Sequence, residues 1–194
     1  MSVTEELLNG ANDGSQIDLV GLSRSEMEAV FDEIGLPRFR VKQVWHWIYH
    51  HGVREFSEMT TIAKGLQPKL AAGFMISRPG VTTEKTSTDG TRKWLLKFSD
   101  GKMAETVHIP EEDRGAICIS SQVGCTLTCK FCHTGTQRMV RNLTSGEIVG
   151  QFMLARDSYR AWPSSKEPRR LTNVVMMGMG EPLYNYENVA KALH

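Results

Sequence analysis

The apolar residues of this chain change their period twice, and those changes limit what it can fold into. Between residues 21 and 78 they recur at helical spacing: Met27, Val30, Phe31 and Ile34 form one stripe, and Val41, Val44, Trp45 and Ile48 a second. Ser23 with Glu26 makes a capping box at the head of the first helix, Gly35 supplies its stop, and Gly52 closes the second. A third helical segment, around Thr60 to Phe74, is expected to be interrupted near Pro68. Over residues 79–112 the period drops to two. VTTEKTST, TRKWLLKFS and KMAETVHIP are strand-like runs separated by Asp89-Gly90 and Asp100-Gly101, a strong hairpin signal, so an antiparallel meander is expected there. Beyond residue 113, strand-like GAICISSQ and LTNVVMMG alternate with helix-like TSGEIVGQFMLARDSYR, headed by a second capping box at Thr144 and Glu147, and NYENVAKALH. That alternation predicts parallel βα units and an α/β fold class.

Hydrophobic residues at 40% and charged residues at 23% give the 194-residue chain enough apolar surface for a core and exclude a disordered one. No run approaches the roughly 20 apolar residues that cross a bilayer, and the polar, acidic first residues do not resemble a signal peptide. The expectation is a cytoplasmic protein with no membrane partner, residues 1–20 being a flexible leader. The formal charge of +1 hides an asymmetry: residues 1–35 carry a net −7 and the remainder +8. A basic body suits a polyanionic partner. Arg38, Arg40, Lys42, His46 and Arg54 interleave with Trp45, Trp47 and Tyr49, a face able to hold phosphate and stack bases. The plainer reading is an amphipathic helix with Trp45 in the core. Arg160, Lys166, Arg169 and Arg170 form a second basic stretch, which reads equally as a solvated loop.

All four cysteines, Cys118, Cys125, Cys129 and Cys132, fall within fifteen positions. A secreted disulfide framework spreads its cysteines to close long loops. Cys125, Cys129 and Cys132 stand in C-x3-C-x2-C spacing on a loop leaving the first parallel strand. Such thiolates can hold a zinc ion if Cys118, His133 or His108 completes the set, or three irons of a [4Fe–4S] cluster with the fourth iron open.

With Phe131 between the last two thiols, the loop resembles the signature of radical S-adenosylmethionine (SAM) enzymes. The longer text ETVHIPEEDRGAICISSQVGCTLTCKFCHTGTQRMVRNLTSGEIVGQ, with VVMMGMGEPLYNYENV, is similar to bacterial dual-specificity RNA methyltransferases, which methylate C2 of adenine in 23S rRNA and tRNA. The likeness extends across residues 20–194 and includes VKQVWHWIYHHG and SEMTTIAKGL. It implies a helical accessory module of RNA-binding kind over 21–78, the meander over 79–112, and the first part of a radical SAM β/α barrel over 113–194.

The resemblance implies that Cys125, Cys129 and Cys132 ligate the [4Fe–4S] cluster, that SAM binds its open iron, and that Gly180 and Glu181 contact SAM, although Gly-Met-Gly-Glu-Pro also reads as a plain strand-to-helix turn. It implies that Glu105 accepts the catalytic proton. Alternation places Met103, Glu105, Val107 and Ile109 on one apolar face, where burial would raise the carboxyl pKa; an edge-strand glutamate reaching water is the alternative. Cys118 alternates with Ala116 and Ser120, opposite Ile117 and Ile119. The family's matching cysteine helps resolve a covalent enzyme–RNA intermediate, whereas a lone thiol is more often structural. The family also requires an electron donor and a methyl-carrying cysteine near the carboxyl terminus. The four cysteines here leave none for that role, so the chain alone is expected to be inactive. Methylation at adenine C8, or a metal-stabilised RNA-binding module without catalysis, remain alternatives at this point.

Overall fold

The computed structural model describes residues 16–112, 114–164 and 170–194, so most of the expected leader, together with Lys166 and Arg169, lies outside the described residues. The chain divides into two units, residues 1–77 with 162–165, and residues 78–161 with 166–194.

The first unit is tied by its ends. Strand β1 (Ile17–Asp18) pairs in parallel with β2 (Phe74–Met75), and the Asp18 carboxylate accepts from the backbone N–H groups of Val20 and Ser77 at 3.0 and 3.2 Å. Helix α1 (Arg24–Glu33) begins with the expected capping box: the Ser23 hydroxyl accepts from Glu26 N at 3.2 Å, and the Glu26 carboxylate accepts from Ser23 N at 2.7 Å. Helix α2 (Phe39–His46) passes directly into a π-helical turn, Trp47–His51, which Gly52 ends at φ +71°. Met27, Val30, Phe31, Val41, Val44, Ile48, Met59 and Leu70 are buried, and the Phe31 and Phe74 rings meet at 5.3 Å.

Two expectations fail here. Trp45 is not in the core. Val41, Val44 and Ile48 already fill the buried stripe, so Trp45 sits half-buried on its flank, 4.5 Å from the Tyr49 ring and under the Arg24 guanidinium at 5.2 Å. The third helix is also shorter than expected. Residues 59–66 form turns, and α3 is confined to Gln67–Gly73, where Pro68 opens the helix because a first-turn residue needs no amide hydrogen.

The second unit is built on one five-stranded sheet. Its strands are β3 (Gly80–Thr86), β4 (Arg92–Lys97), β5 (Met103–Pro110), β6 (Gly115–Cys118) and β9 (Asn173–Val175), in that spatial order. The first three pairings are antiparallel and β6–β9 is parallel, so the meander and the βα units share a sheet. Helices α4 (Ser145–Ser158) and α5 (Tyr186–Leu193) supply Ile148, Leu154, Ala155 and Val189 to the core formed with Trp94, Leu96, Ala104 and Ile117 of the sheet. The Thr144–Glu147 capping box is present. Among the described residues no helix is long and apolar enough to cross a membrane.

His108, 3% exposed, lies on the buried face of β5. Its Nε2 donates to Arg170 O at 3.0 Å, which leaves Nδ1 to accept from the Tyr159 hydroxyl at 2.7 Å. Burial, reinforced by Arg92 and Arg170, pushes the imidazole below its usual range. A depressed histidine pKa means that the unfolded chain takes up a proton before the folded one does. The contribution of His108 is therefore full above about pH 6.5 and is lost as the pH falls toward the lower folded value, at about 1.4 kcal/mol per unit of separation. Urea unfolding between pH 7.5 and 5 is expected to show the native chain losing more stability than His108→Gln; parallel curves would place no burden on this imidazole.

Candidate active site

The site forms where the two adjacent parallel strands end. After β6 the chain runs through Ile119–Ser121 into β7 (Gln122–Val123), and β7 pairs antiparallel with β8 (Arg141–Asn142). These two short strands clamp both ends of the segment that carries Cys125, Cys129 and Cys132. GAICISSQ is therefore not one strand as expected: β6 ends at Cys118, and Gln122 begins the clamp. Within it Cys125 bridges Arg138, Cys132 N donates to Cys129 O at 3.1 Å, and a 3-10 turn (His133–Thr136) follows. Arg141 secures the exit: it donates to both Glu147 carboxylate oxygens at 2.7 and 2.8 Å and to Asp100 at 2.7 Å. Hydrogen bonds from Arg141 and Lys102 hold the Asp100 carboxyl down at about 2.

The second loop, Met176–Glu181, leaves the carboxyl end of β9 and is stitched to the first. Gly178 N donates to Ile119 O, Ser121 N to Met179 O, and Glu181 N to Gln122 Oε1, at 3.0, 2.9 and 3.0 Å. Gly180 holds φ +94°, and a Cβ there would fall 2.5 Å from Gln122 Cβ, so both its conformation and its space require glycine. Glu181 Oε1 accepts from Leu183 N at 3.2 Å at the head of a 3-10 turn (Pro182–Asn185). Glu181 thus terminates the loop structurally.

The thiol set determines what the loop can hold. All three cysteines are free and half-buried, and Phe131 between them is 94% exposed. Leu127 N donates to Cys125 Sγ at 3.4 Å, and the amides of Gly135 and Thr134 lower the Cys132 thiol pKa, so backbone dipoles favour thiolate. Three thiols on one loop are the donor set that three irons of a [4Fe–4S] cluster take, whereas a structural zinc would need a fourth ligand besides them. His108 has both ring nitrogens engaged and does not supply it.

Glu105 and Cys118 share the sheet face opposite α4 and α5. On β5 the buried residues are Ala104, Thr106 and His108, the parity opposite to that expected. The physical reason is helix α4, whose Gln151 takes the Thr106 hydroxyl at 2.8 Å and whose C-cap residue Tyr159 bonds His108. Glu105 is consequently 42% exposed in its side chain and ion-paired with Lys93 Nζ at 2.6 Å. Cys118 is directly opposite Val107 and so diagonal to Glu105; Ser120, the next residue of its parity, donates to Glu105 O at 2.6 Å. Burial pushes the Cys118 thiol pKa up. The remaining basic candidates are scattered: Arg160 is exposed at φ +50°, and the Arg170 guanidinium lies 5.5 Å from the Tyr159 ring.

Residues 17–76 match the model of a family described as the ribosomal RNA large subunit methyltransferase N-terminal domain. The chain is 60% identical over 191 residues to a dual-specificity RNA methyltransferase, RlmN, of Rhodospirillum rubrum, an alignment covering 98% of this chain and 45% of that protein. Its match to the protein of the same name from Gluconobacter oxydans is 66% over 180 residues, covering 91% and 44%. A crystal structure of a radical SAM methyltransferase from Sphaerobacter thermophilus superposes with a TM-score of 0.81 at 38% identity, over 91% of this chain and 50% of that one. The chain spans about half the length of the curated relatives it matches.

Proposed function

Because this chain is, over nearly its whole length, a homologue of the RlmN dual-specificity RNA methyltransferases, we propose that it contributes the cluster-holding portion of a radical SAM enzyme that methylates C2 of adenine in 23S rRNA and tRNA. One observation supports this most directly. Ile119–Gln122, the segment leading from β6 into the three-thiol loop, and the Gly178–Glu181 loop follow the carboxyl ends of adjacent parallel strands and are hydrogen-bonded to each other, where α/β sheets place ligands.

In this reading Cys125, Cys129 and Cys132 hold the [4Fe–4S] cluster, while Gly180 and Glu181 offer the backbone and carboxylate that orient SAM. The cluster, when bound and reduced by an external electron donor, supplies the electron that cleaves SAM. Glu105, half-buried and ion-paired with Lys93 on the sheet face opposite α4 and α5, takes the proton from the base in this reading. Cys118, diagonal to it, supplies the thiol that resolves a covalent RNA adduct. Its raised pKa keeps it protonated and separate from the metal-binding thiols.

Anaerobic reconstitution with iron and sulfide tests the assignment. About four irons and four sulfides per chain are expected, with near-complete loss in Cys125→Ser, Cys129→Ser or Cys132→Ser and retention in Cys118→Ser. One tightly held zinc and no acid-labile sulfide would overturn it.

A further inference from the structure

We propose that His46, His50 and His51 of the first unit form a site for one divalent transition-metal ion of the zinc class. Among the described residues these are the only three His, Cys, Asp or Glu side chains whose donor atoms all lie within 4.8 Å of one another. The backbone explains how they meet. Residues four apart on a helix stack on one face, and the His46 and His50 rings do so, at 4.5 Å with planes 15° apart. A residue five apart would be turned away by about a further 100° in an α-helix. The π-helical turn Trp47–His51 removes that offset by widening the helix, and brings His51 to 4.9 Å from His46 and 5.0 Å from His50, edge-on to both. Such π turns concentrate at functional positions.

Neighbouring groups complete the site. Trp47 packs on His51 at 4.4 Å and is held by its Nε1 donating to Thr61 Oγ1 at 2.8 Å, so the third imidazole has a fixed backing. The histidines line a cleft of about 630 Å³, with His46 exposed, which leaves an entry path and an open coordination position facing solvent. A tetrahedral ion with Zn–N near 2.05 Å needs nitrogens about 3.4 Å apart, a closure within reach of ring rotation. No carboxylate lines the cleft beside the three imidazoles. That donor set disfavours Ca²⁺ and Mg²⁺, which require oxygen ligands, and leaves ions that bond strongly enough to neutral imidazole to bind despite the neighbouring Arg24 and Lys42.

The test uses the 194-residue chain with its four cysteines changed to serine, so that thiolate binding does not contribute. Titration with Zn²⁺ against a chromophoric chelator is expected to give one ion per chain. X-ray absorption of the loaded chain should show three imidazole nitrogens at about 2.0–2.1 Å. His46→Gln, whose side chain is exposed, should weaken binding by about 30-fold or more, and millimolar Mg²⁺ should not compete. Sub-stoichiometric binding, fewer than three imidazoles around the ion, or an unchanged affinity in His46→Gln would each overturn the site. The absorption result needs no histidine variant to fold, and none of these readouts depends on whether the cysteine loop holds a cluster.

Discussion

Replacing Gln151 by leucine is expected to destabilise the sheet-bearing unit by about 3–5 kcal/mol, although the two side chains are similar in volume. Gln151 is fully buried on α4 and satisfies several partners at once. Its Oε1 accepts from the Thr106 hydroxyl and from Ser120 N, both at 2.8 Å, and its Nε2 donates to Ser120 O at 2.9 Å and to Glu147 O at 3.3 Å. Leucine leaves the Ser120 peptide groups and the Thr106 hydroxyl buried without partners, each at a cost of about 1–3 kcal/mol. The effect should also reach the site, because the Ser120 hydroxyl accepts from Met179 N and donates to Glu105 O. Chemical unfolding measures the first effect. Combining Gln151→Leu with Thr106→Val should recover about 1 kcal/mol or more, since that pair removes both partners of one bond. A loss below 1 kcal/mol for the single variant would mean the network is not a support of the fold.

Gln151 also shows where sequence reading stops. The two capping boxes involve residues three apart, so nothing beyond local backbone was needed to foresee them, and both are present. The strand alternation in KMAETVHIP was equally legible, but not its sense. Met103, Val107 and Ile109 look more apolar than Ala104, Thr106 and His108, yet the latter face is buried. The decision is made by polar partners about 45 and 51 residues away, Gln151 and Tyr159, which make a threonine and a histidine acceptable in a core. The one local hint was a glutamine three residues from both Ile148 and Leu154, inside the apolar stripe of α4.

The same distinction holds for the sites. Three thiols on a loop after a strand could be read from spacing, because the ligands are close in sequence. The clamp that closes the loop could not: β7 and β8 are two residues each, too short to carry a period. The histidine trio was visible as composition but not as a cluster, since helical spacing turns His51 away from His46 and only the π turn reverses this. Trp45 extends a helical stripe that three smaller residues already fill, so spacing alone points it to a core it does not enter.

Gly124→Ala is expected to reduce iron and sulfide incorporation to less than about a tenth of that of the parent chain without altering any cysteine. Gly124 joins β7 to Cys125 at φ +78°, a conformation costing about 1–2 kcal/mol for a residue with a Cβ. The added carbon would also fall 2.2 Å from Arg138 O and 3.0 Å from Met139 Cα, backbone atoms that cannot swing aside as a side-chain tip can. Relief requires the two arms of the loop to part. That opens the Cys125–Arg138 bridge and strains the bond from Val140 N to Val123 O at 2.9 Å, contacts that position Cys125 relative to the other thiols. Val123 is the member of this hairpin that joins the core with Trp94, Leu96 and Ile117, while Gly124 and the thiols follow it, so the global unfolding midpoint should move less than cluster loading does. Gly65→Ala, where an added carbon meets nothing within 4 Å, is the matched control and should load normally. Normal loading in Gly124→Ala would show that the three thiols gather without the closed hairpin, and that the loop geometry described above is not what selects the cluster.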